Sequence, residues 1–352
     1  MKDFRYSILI TIVCLIGAFF WGMRHPEADP WGAGLSAVLL ALILGVMEVS
    51  LSFDNAVVNA SVLKDMDAKW QQIFLTVGIL IAVFGMRLIF PIIIVSVASG
   101  QGMGDVALMA LNHPEEYAKH LEASHAGIAA FGGMFLLLVF FTYMMDEAKD
   151  VHWIAIIEKK LASFGKLDSV EVMCALIVLF LLQRYLPIDD SVRSTVLAAG
   201  VAGVVLYVAV SSLDSLFESE EEGEAAVGTA KRAGIAGFLY LEVLDASFSF
   251  DGVIGAFAIT RDVVIIMLGL AIGAMFVRSL TVFLVNKGTL DEYVYLEHGA
   301  HWAIGALAAI MLGSIYYHVS EVVTGLIGVT FIVLAVVSSV RYQGSQVNET
   351  PK

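Results

Sequence analysis

Long apolar runs broken by short charged stretches dominate the chain, and they mark ten segments at approximately 6–23, 32–61, 72–98, 125–145, 170–186, 194–213, 233–260, 262–285, 299–317 and 321–341. Most are long enough for a helix to cross a hydrocarbon core about 30 Å thick, which takes roughly 20 apolar residues. Backbone polar groups in lipid must be satisfied within the segment, so these runs are expected to be helices. The first run has a basic flank like a signal peptide, but Gly22-Met23-Arg24-His25-Pro26 offers no small-x-small cleavage site, so a retained span is expected. The reading is an all-α polytopic bundle of about ten spans. Residues 1–352 form a single membrane domain, in which 32–145 is a first repeat core and 146–232 holds connecting spans and an acidic loop. A second core follows over 233–320, then a last span and tail over 321–352.

Lysine and arginine favour cytoplasmic loops. Lys2 and Arg5 put the N-terminus inside, and Lys64, Lys69, Lys149, Lys159, Lys160, Lys166, Lys231, Arg232, Lys287, Arg341 and Lys352 then fall inside as well. The 100–124 region, assigned outside, holds one lysine and several acids and suggests a short amphipathic helix. Arg184 and Arg193 break the pattern in one short loop. The expected location is the cell membrane, multi-pass, with both termini cytoplasmic.

Two segments repeat each other. Ser50-Leu51-Ser52-Phe53-Asp54-Asn55 in the second span matches Ser247-Phe248-Ser249-Phe250-Asp251-Gly252 in the seventh. An acid lies six residues before each aspartate, Glu48 and Asp245, and Glu242 adds another three residues earlier. In the spans that follow, Gly78 precedes Arg87 and Gly269 precedes Arg278 by nine residues each, and His125 and His298 come next in order. The two motif spans are an odd number of crossings apart, so the copies run through the membrane in opposite senses. That is an inverted-topology repeat, an architecture of secondary transporters with sites near the midplane.

Composition agrees with a lipid solvent. Of 352 residues 59% are hydrophobic and 15% charged, and mean hydropathy is +0.84. The net charge of −14 and the lack of a basic stripe exclude nucleic-acid binding. Cys14 and Cys174 sit in apolar runs and imply neither disulfides nor thiolate metal sites.

An ionised carboxylate inside the membrane costs at least about 2.5 kcal/mol on insertion scales, so such groups pair, face a cavity or bind something. Glu48, Asp54, Glu242, Asp245 and Asp251 outnumber Arg87 and Arg278, the basic residues well inside their spans. Three uses of the surplus stand open: liganding a metal, structural pairing, or relaying protons. Hard divalent ions take carboxylate, carbonyl and amide oxygens, which these acids and Asn55 supply, and no cysteine or methionine lies within the motifs. Glu242 and Asp245 share a helical face, whereas Glu48 and Asp54, six apart, point about 120° away from each other in an unbroken helix. Unwinding of both helices near Ser-x-Ser-Phe-Asp is therefore expected.

Other signals carry less. His298 and His301 are three apart and could meet on one face, although interfacial histidines commonly bind no metal. Glu220, Glu221, Glu222 and Glu224 read as a solvated loop. Gly269 and Gly273 form a small-xxx-small pair for close helix packing.

Glu48-Val49-Ser50-Leu51-Ser52-Phe53-Asp54-Asn55 resembles the E-x-x-L-S-x-D-N signature of the TerC family of membrane proteins, named for tellurium resistance. The stretch from Glu242 to Asp251 is similar to that family's E-x-x-D-x-x-F-S-x-D element, and the resemblance covers approximately 32–340. It implies a transporter of the lysine-exporter type, with members linked to manganese efflux, tellurite tolerance or membrane-protein assembly. Gly252, where a serine commonly follows the aspartate, and the larger number of spans mark a divergent subgroup.

The function expected is secondary export of a divalent cation, manganese foremost, along Glu48, Asp54, Asn55, Glu242, Asp245 and Asp251, with Arg87 and Arg278 gating or balancing charge. The cation is substrate, no tightly bound cofactor is expected, and protons are the expected counter-ion. The sequence has no phosphate-binding loop and no nucleophile motif, so it does not read as an enzyme. The alternative is a membrane scaffold that binds partner proteins and uses its acids structurally.

Overall fold

The computed structural model describes residues 4–24, 29–64, 66–167, 169–218, 234–317 and 319–349, and among them all regular structure is helical. The helices are α1 (Arg5–Gly22), α2 (Pro30–Leu51), α3 (Phe53–Leu63), α4 (Ala68–Leu80), a π-helical segment (Ile81–Ile89), α5 (Phe90–Ser99), α6 (Met103–Asn112), α7 (Pro114–Ala123) and α8 (His125–Met144). They continue as α9 (Ala155–Ala162), α10 (Val170–Tyr185), α11 (Asp190–Glu218), α12 (Gly234–Ile259), α13 (Val263–Lys287), α14 (Thr289–Glu292), α15 (Leu296–Ser314) and α16 (Glu321–Glu349).

Each of the ten apolar runs has become a helix or a helix broken in place. Seven stretches among the described residues are long and apolar enough to cross a membrane, namely Arg5–Gly22, Pro30–Leu51, Ala68–Val97, His125–Met144, Asp190–Ser212, Val263–Lys287 and Val323–Gln343. The other three expected spans fall short for separate reasons. Helix α10 has 16 residues, about 24 Å at 1.5 Å per residue. Helix α12 carries Glu242, Asp245 and Asp251, and α15 opens on Glu297, His298 and His301.

Two helices depart from regular α geometry. Ser52, with φ −107° and ψ 20°, separates α2 from α3 inside the first acidic motif. The third span widens into a π turn over Ile81–Ile89 just ahead of Pro91. Proline lacks the N–H that would bond the carbonyl of Arg87 four residues back, which loosens the α ladder there. Such π turns recur at functional positions, and this one carries Arg87. The second motif behaves differently from expectation. Helix α12 runs unbroken from Gly234 to Ile259, because its acids at 242 and 245 already share a face and need no unwinding to meet a common partner.

The chain forms two compact units. The first comprises Met1–Ala56, Ala68–His125 and Glu242–Phe283, and so gathers the acidic stretches of both repeats. In it α1 is tied to α13 by the Ser7 hydroxyl, which donates to the Met275 carbonyl (2.7 Å) and meets Ser279 Oγ (2.5 Å). Trp21 donates from Nε1 to Asp262 (2.8 Å) at the other end of α1. Buried Cys14 packs with Val83, Ala271, Ile272 and Ala274 as an ordinary small hydrophobe. Helix α2 crosses α13 closely: a β-carbon on Gly269 would stand 2.5 Å from Leu44 Cβ, and one on Gly45 would stand 3.0 Å from Ile272 Cγ2. The small-residue pair is thus a packing device. The stretch between the third and fourth apolar runs holds α6 and α7, with Tyr117 buried beside Phe257 and Glu115 paired to Arg261 at 2.5 Å.

The second unit comprises Val57–Asp67, Ala126–Leu241 and Leu284–Lys352. Its centre is α8, in which an uninterrupted run from Gly132 to Phe140 is buried. Phe140 lies against Gly305 of α15, and α15 in turn packs along α16.

Candidate functional site

The first unit buries a network of ionisable side chains in its apolar interior. On α2, Glu48 pairs with Arg87 of the π segment, and both are buried. Ser52 also donates to Glu48 Oε1 (3.3 Å). Arg87 directs its other Nη to the Ala82 carbonyl (2.6 Å) within its own helix. A carbonyl has two lone pairs, so this one can take a side-chain donor in addition to its place in the π ladder.

On α12 and α13 a second arrangement forms. Arg278 reaches Glu242 Oε1 at 3.2 Å and Asp245 Oδ2 at 3.9 Å, so one guanidinium serves the two acids on one face of α12. Its Nη1 donates to the Phe74 carbonyl (2.5 Å), and the guanidinium stacks 4.0 Å from the Phe74 ring. A fork that is planar and always charged suits this combination of stacking and hydrogen bonding. Arg278 belongs to the second repeat and Phe74 to the first.

Asn55 joins the copies directly. Its Nδ2 donates to Asp245 Oδ1 at 2.7 Å. A carboxylate only accepts, so the amide must turn its nitrogen to Asp245 and its oxygen away. That Oδ1 is buried and has no hydrogen-bond partner. Asp54, 5% exposed in the first turn of α3, accepts from the Asn55 backbone N–H (3.0 Å) and has no ion-pair partner among the described residues. The break at Ser52 opens a helix N-terminus beside it, where the backbone dipoles favour negative charge.

Of the residues expected from sequence, Glu48 and Arg87 come together, and Asn55, Glu242, Asp245 and Arg278 form a connected set. Asp54 adjoins that set through Asn55. The Asp251 side chain and the acidic loop with Glu220, Glu221, Glu222 and Glu224 lie outside the described residues. Sequence reading missed Ser249, buried one turn beyond Asp245, whose hydroxyl oxygen has no partner; Glu242 Oε2 has none either. Its place in the repeated Ser-x-Ser-Phe-Asp pattern was the available signal. No three side chains of the His, Cys, Asp and Glu types converge as a ligand set among the described residues.

A separate polar cluster lies in the second unit. Glu158 of α9 is fully buried and accepts from the Trp153 and Ile154 backbone N–H groups (3.1 Å each) and from Trp302 Nε1 (3.0 Å). His298 donates to it from Nδ1 at 2.9 Å, and Lys149 Nζ stands 3.6 Å away. Burial pushes the Glu158 carboxyl up, but the bonds from His298, Trp302 and the Ile154 amide outweigh it and hold the group well below the usual carboxylate range. His301 stacks on Tyr143 with ring centroids 3.6 Å apart and donates from Nδ1 to the Glu297 carbonyl (2.9 Å). His298 and His301 thus spend their Nδ1 atoms on different acceptors, the Glu158 carboxylate and the Glu297 carbonyl. Glu158, in a stretch whose lysines alone enter the sequence reading, offered no sequence signal.

Comparison with known proteins sets this geometry in a family. A model described as "Protein of unknown function (DUF475)" matches residues 53–346, which takes in Asp54, Asn55, Arg87, the α12 acids and Arg278 and leaves Glu48 outside. A stretch of 79 residues is 33% identical to the "Uncharacterized membrane protein YceF" of Bacillus subtilis (strain 168), covering 22% of this chain and 30% of that protein. The chain thus spans about a third of the length of this curated relative. No solved structure matches. With several apolar helices of membrane-crossing length and a family match over most of its length, the chain is a multi-pass membrane protein and belongs to the DUF475 family.

Proposed function

We propose that the chain is a secondary transporter that exports a divalent metal cation, manganese foremost, through the buried acids of its two repeats. One observation carries this reading: the first unit buries an acid without an ion pair and further oxygens without donors, beside a buried Arg87 Nε that has no acceptor. Arg87 serves Glu48, and Arg278 serves Glu242 and Asp245, while Asp54 has no ion-pair partner among the described residues. Asn55 Oδ1, Glu242 Oε2 and Ser249 Oγ are buried acceptors without donors. An unpartnered buried oxygen costs about 1–3 kcal/mol, and a hard cation satisfies several at once. Carboxylate, amide and hydroxyl oxygens suit Mn²⁺ over thiophilic metals. The TerC resemblance points the same way.

The arginines then act as resident counter-charges that hold the carboxylates between loads, and protons are the proposed exchange ion. Reciprocal contacts between the copies support an inverted repeat: α2 of the first packs on α13 of the second, and α12 of the second meets α4 of the first. The lysine and arginine bias supports a cytoplasmic position for both termini.

The ion pairs themselves favour a second reading, a scaffold whose acids only neutralise arginines. Sealed vesicles containing the purified chain separate the two. Mn²⁺ flux that depends on the protein and responds to an imposed pH gradient is expected; its absence, with a partner-binding defect in acid variants, favours the scaffold.

A further inference from the structure

Four glycines in the first unit mark where the two repeats touch, and they divide into two kinds. At Gly269 an added β-carbon would meet Leu44 Cβ at 2.5 Å and the Ala41 carbonyl oxygen at 2.9 Å, and at Gly273 it would meet Glu48 Cβ and the Gly45 carbonyl. These glycines let helix backbones approach, and a side chain there would force α2 and α13 apart. At Gly252 the nearest atom is instead Glu48 Oε2, 2.6 Å from the β-carbon position, with the carboxyl carbon next at 3.7 Å. At Gly78 the atoms met are Glu242 Oε1 and, at 2.5 Å, Arg278 Nη1. Here the space of a missing side chain is filled by the charged tips of an acid or its arginine.

The arrangement is reciprocal. Gly252 of the second repeat receives Glu48 of the first, and Gly78 of the first receives the Glu242 and Arg278 tips of the second. We infer that Gly252 and Gly78 are positioning residues of the candidate ion site, each reserving in one repeat the volume into which a carboxylate of the other repeat must reach. The inference rests on the cation reading above for its consequence, but its geometry does not. A β-carbon at 2.6 Å is well inside the roughly 3.5 Å of ordinary contact, so alanine must turn the Glu48 carboxylate away. Because the displaced atom is the end of a rotatable side chain, the helices stay in place and the ligand moves. This predicts a defect in ion binding with the fold retained, the reverse of what a packing glycine produces.

The test uses the full-length purified chain, with free Mn²⁺ followed by electron paramagnetic resonance and unfolding followed by thermal melting. Gly252→Ala and Gly78→Ala are expected to keep parental membrane abundance and to melt only slightly below the parent, while weakening Mn²⁺ binding about tenfold, the scale of one misplaced charged ligand. Gly269→Ala is expected to lower the melting temperature much further. Glu48→Asp withdraws the carboxylate by one methylene from the Gly252 space, so adding Gly252→Ala in that background should weaken binding less than twofold further. Parental Mn²⁺ affinity in Gly252→Ala, or an equal loss in the parental and Glu48→Asp backgrounds, overturns the inference. If the parent binds no Mn²⁺, the cation reading falls and the melting cycle alone decides the geometry. Non-additive melting shifts of Gly252→Ala and Glu48→Asp then support the socket, and additive shifts refute it.

Discussion

The two units each bury a carboxylate against a cation, and they answer it with different completeness. Glu158 in the second unit is answered on every side, by two backbone amides, an indole, an imidazole and Lys149. The acids of the first unit share two arginines unequally and leave Asp54 without an ion pair among the described residues and three buried oxygens without donors. A saturated buried charge fixes structure, because any change leaves a partner stranded. On the proposed reading, an unsaturated one is held ready for a cation that comes and goes. Completeness of hydrogen bonding, more than burial, separates the architectural cluster from the candidate site.

The sharpest way to break this comparison is to neutralise one acid of each kind. Asp54→Asn keeps the side-chain shape and strands no arginine, so normal membrane abundance with abolished Mn²⁺ flux is expected in vesicles, and Asp251→Asn should behave alike. Retained flux in both variants would return the first unit to a structural role. Glu158→Ala is expected to do the opposite, destabilising the protein by about 3 kcal/mol because Lys149 loses its counter-charge and the His298, Trp302 and backbone N–H donors lose their acceptor. Its flux per folded molecule should stay parental, as judged by vesicle assays normalised to monodisperse protein.

Acid offers a subtler probe. The folded-state pKa of Glu158 is depressed, so its contribution is present above the unfolded value of roughly 4.3 and is lost as pH falls toward the folded value. Melting temperature should therefore drop below about pH 4, and Glu158→Gln should flatten that limb of the profile. An unchanged acid limb would mean that the cluster does not hold the ionised carboxylate. The smallest effect is expected at the exposed Glu115–Arg261 pair, where Glu115→Gln should cost under about 1 kcal/mol and less in high salt. A larger loss of stability or flux would show that α7 matters to the site beyond one surface ion pair.

Much of this was legible in the residues. Ten apolar runs became helices because lipid leaves a backbone no other way to satisfy its polar groups along a single segment. The repeated Ser-x-Ser-Phe-Asp motif located the acidic helices, and the nine-residue Gly-to-Arg spacing located the arginines that answer them. Periodicity also foretold that Glu242 and Asp245 share a face, since three residues is nearly one turn.

What the sequence by itself determined, then, is the helical class, the lipid environment and the buried acids Glu48, Asp54, Glu242 and Asp245 of the first unit, all of which follow from local hydropathy and the cost of charge in hydrocarbon. Only the tertiary structure decided which arginine meets which acid, that α12 needs no break while α2 does, and that Gly252 stands open for Glu48. It also decided that Glu158, which the sequence reading passed over, is buried among His298, Trp302 and Lys149 in the second unit. Those outcomes depend on contacts that reach across as many as 204 positions. Propensity and hydropathy act over a few turns, whereas the partner of a buried charge is set by which distant helix arrives beside it.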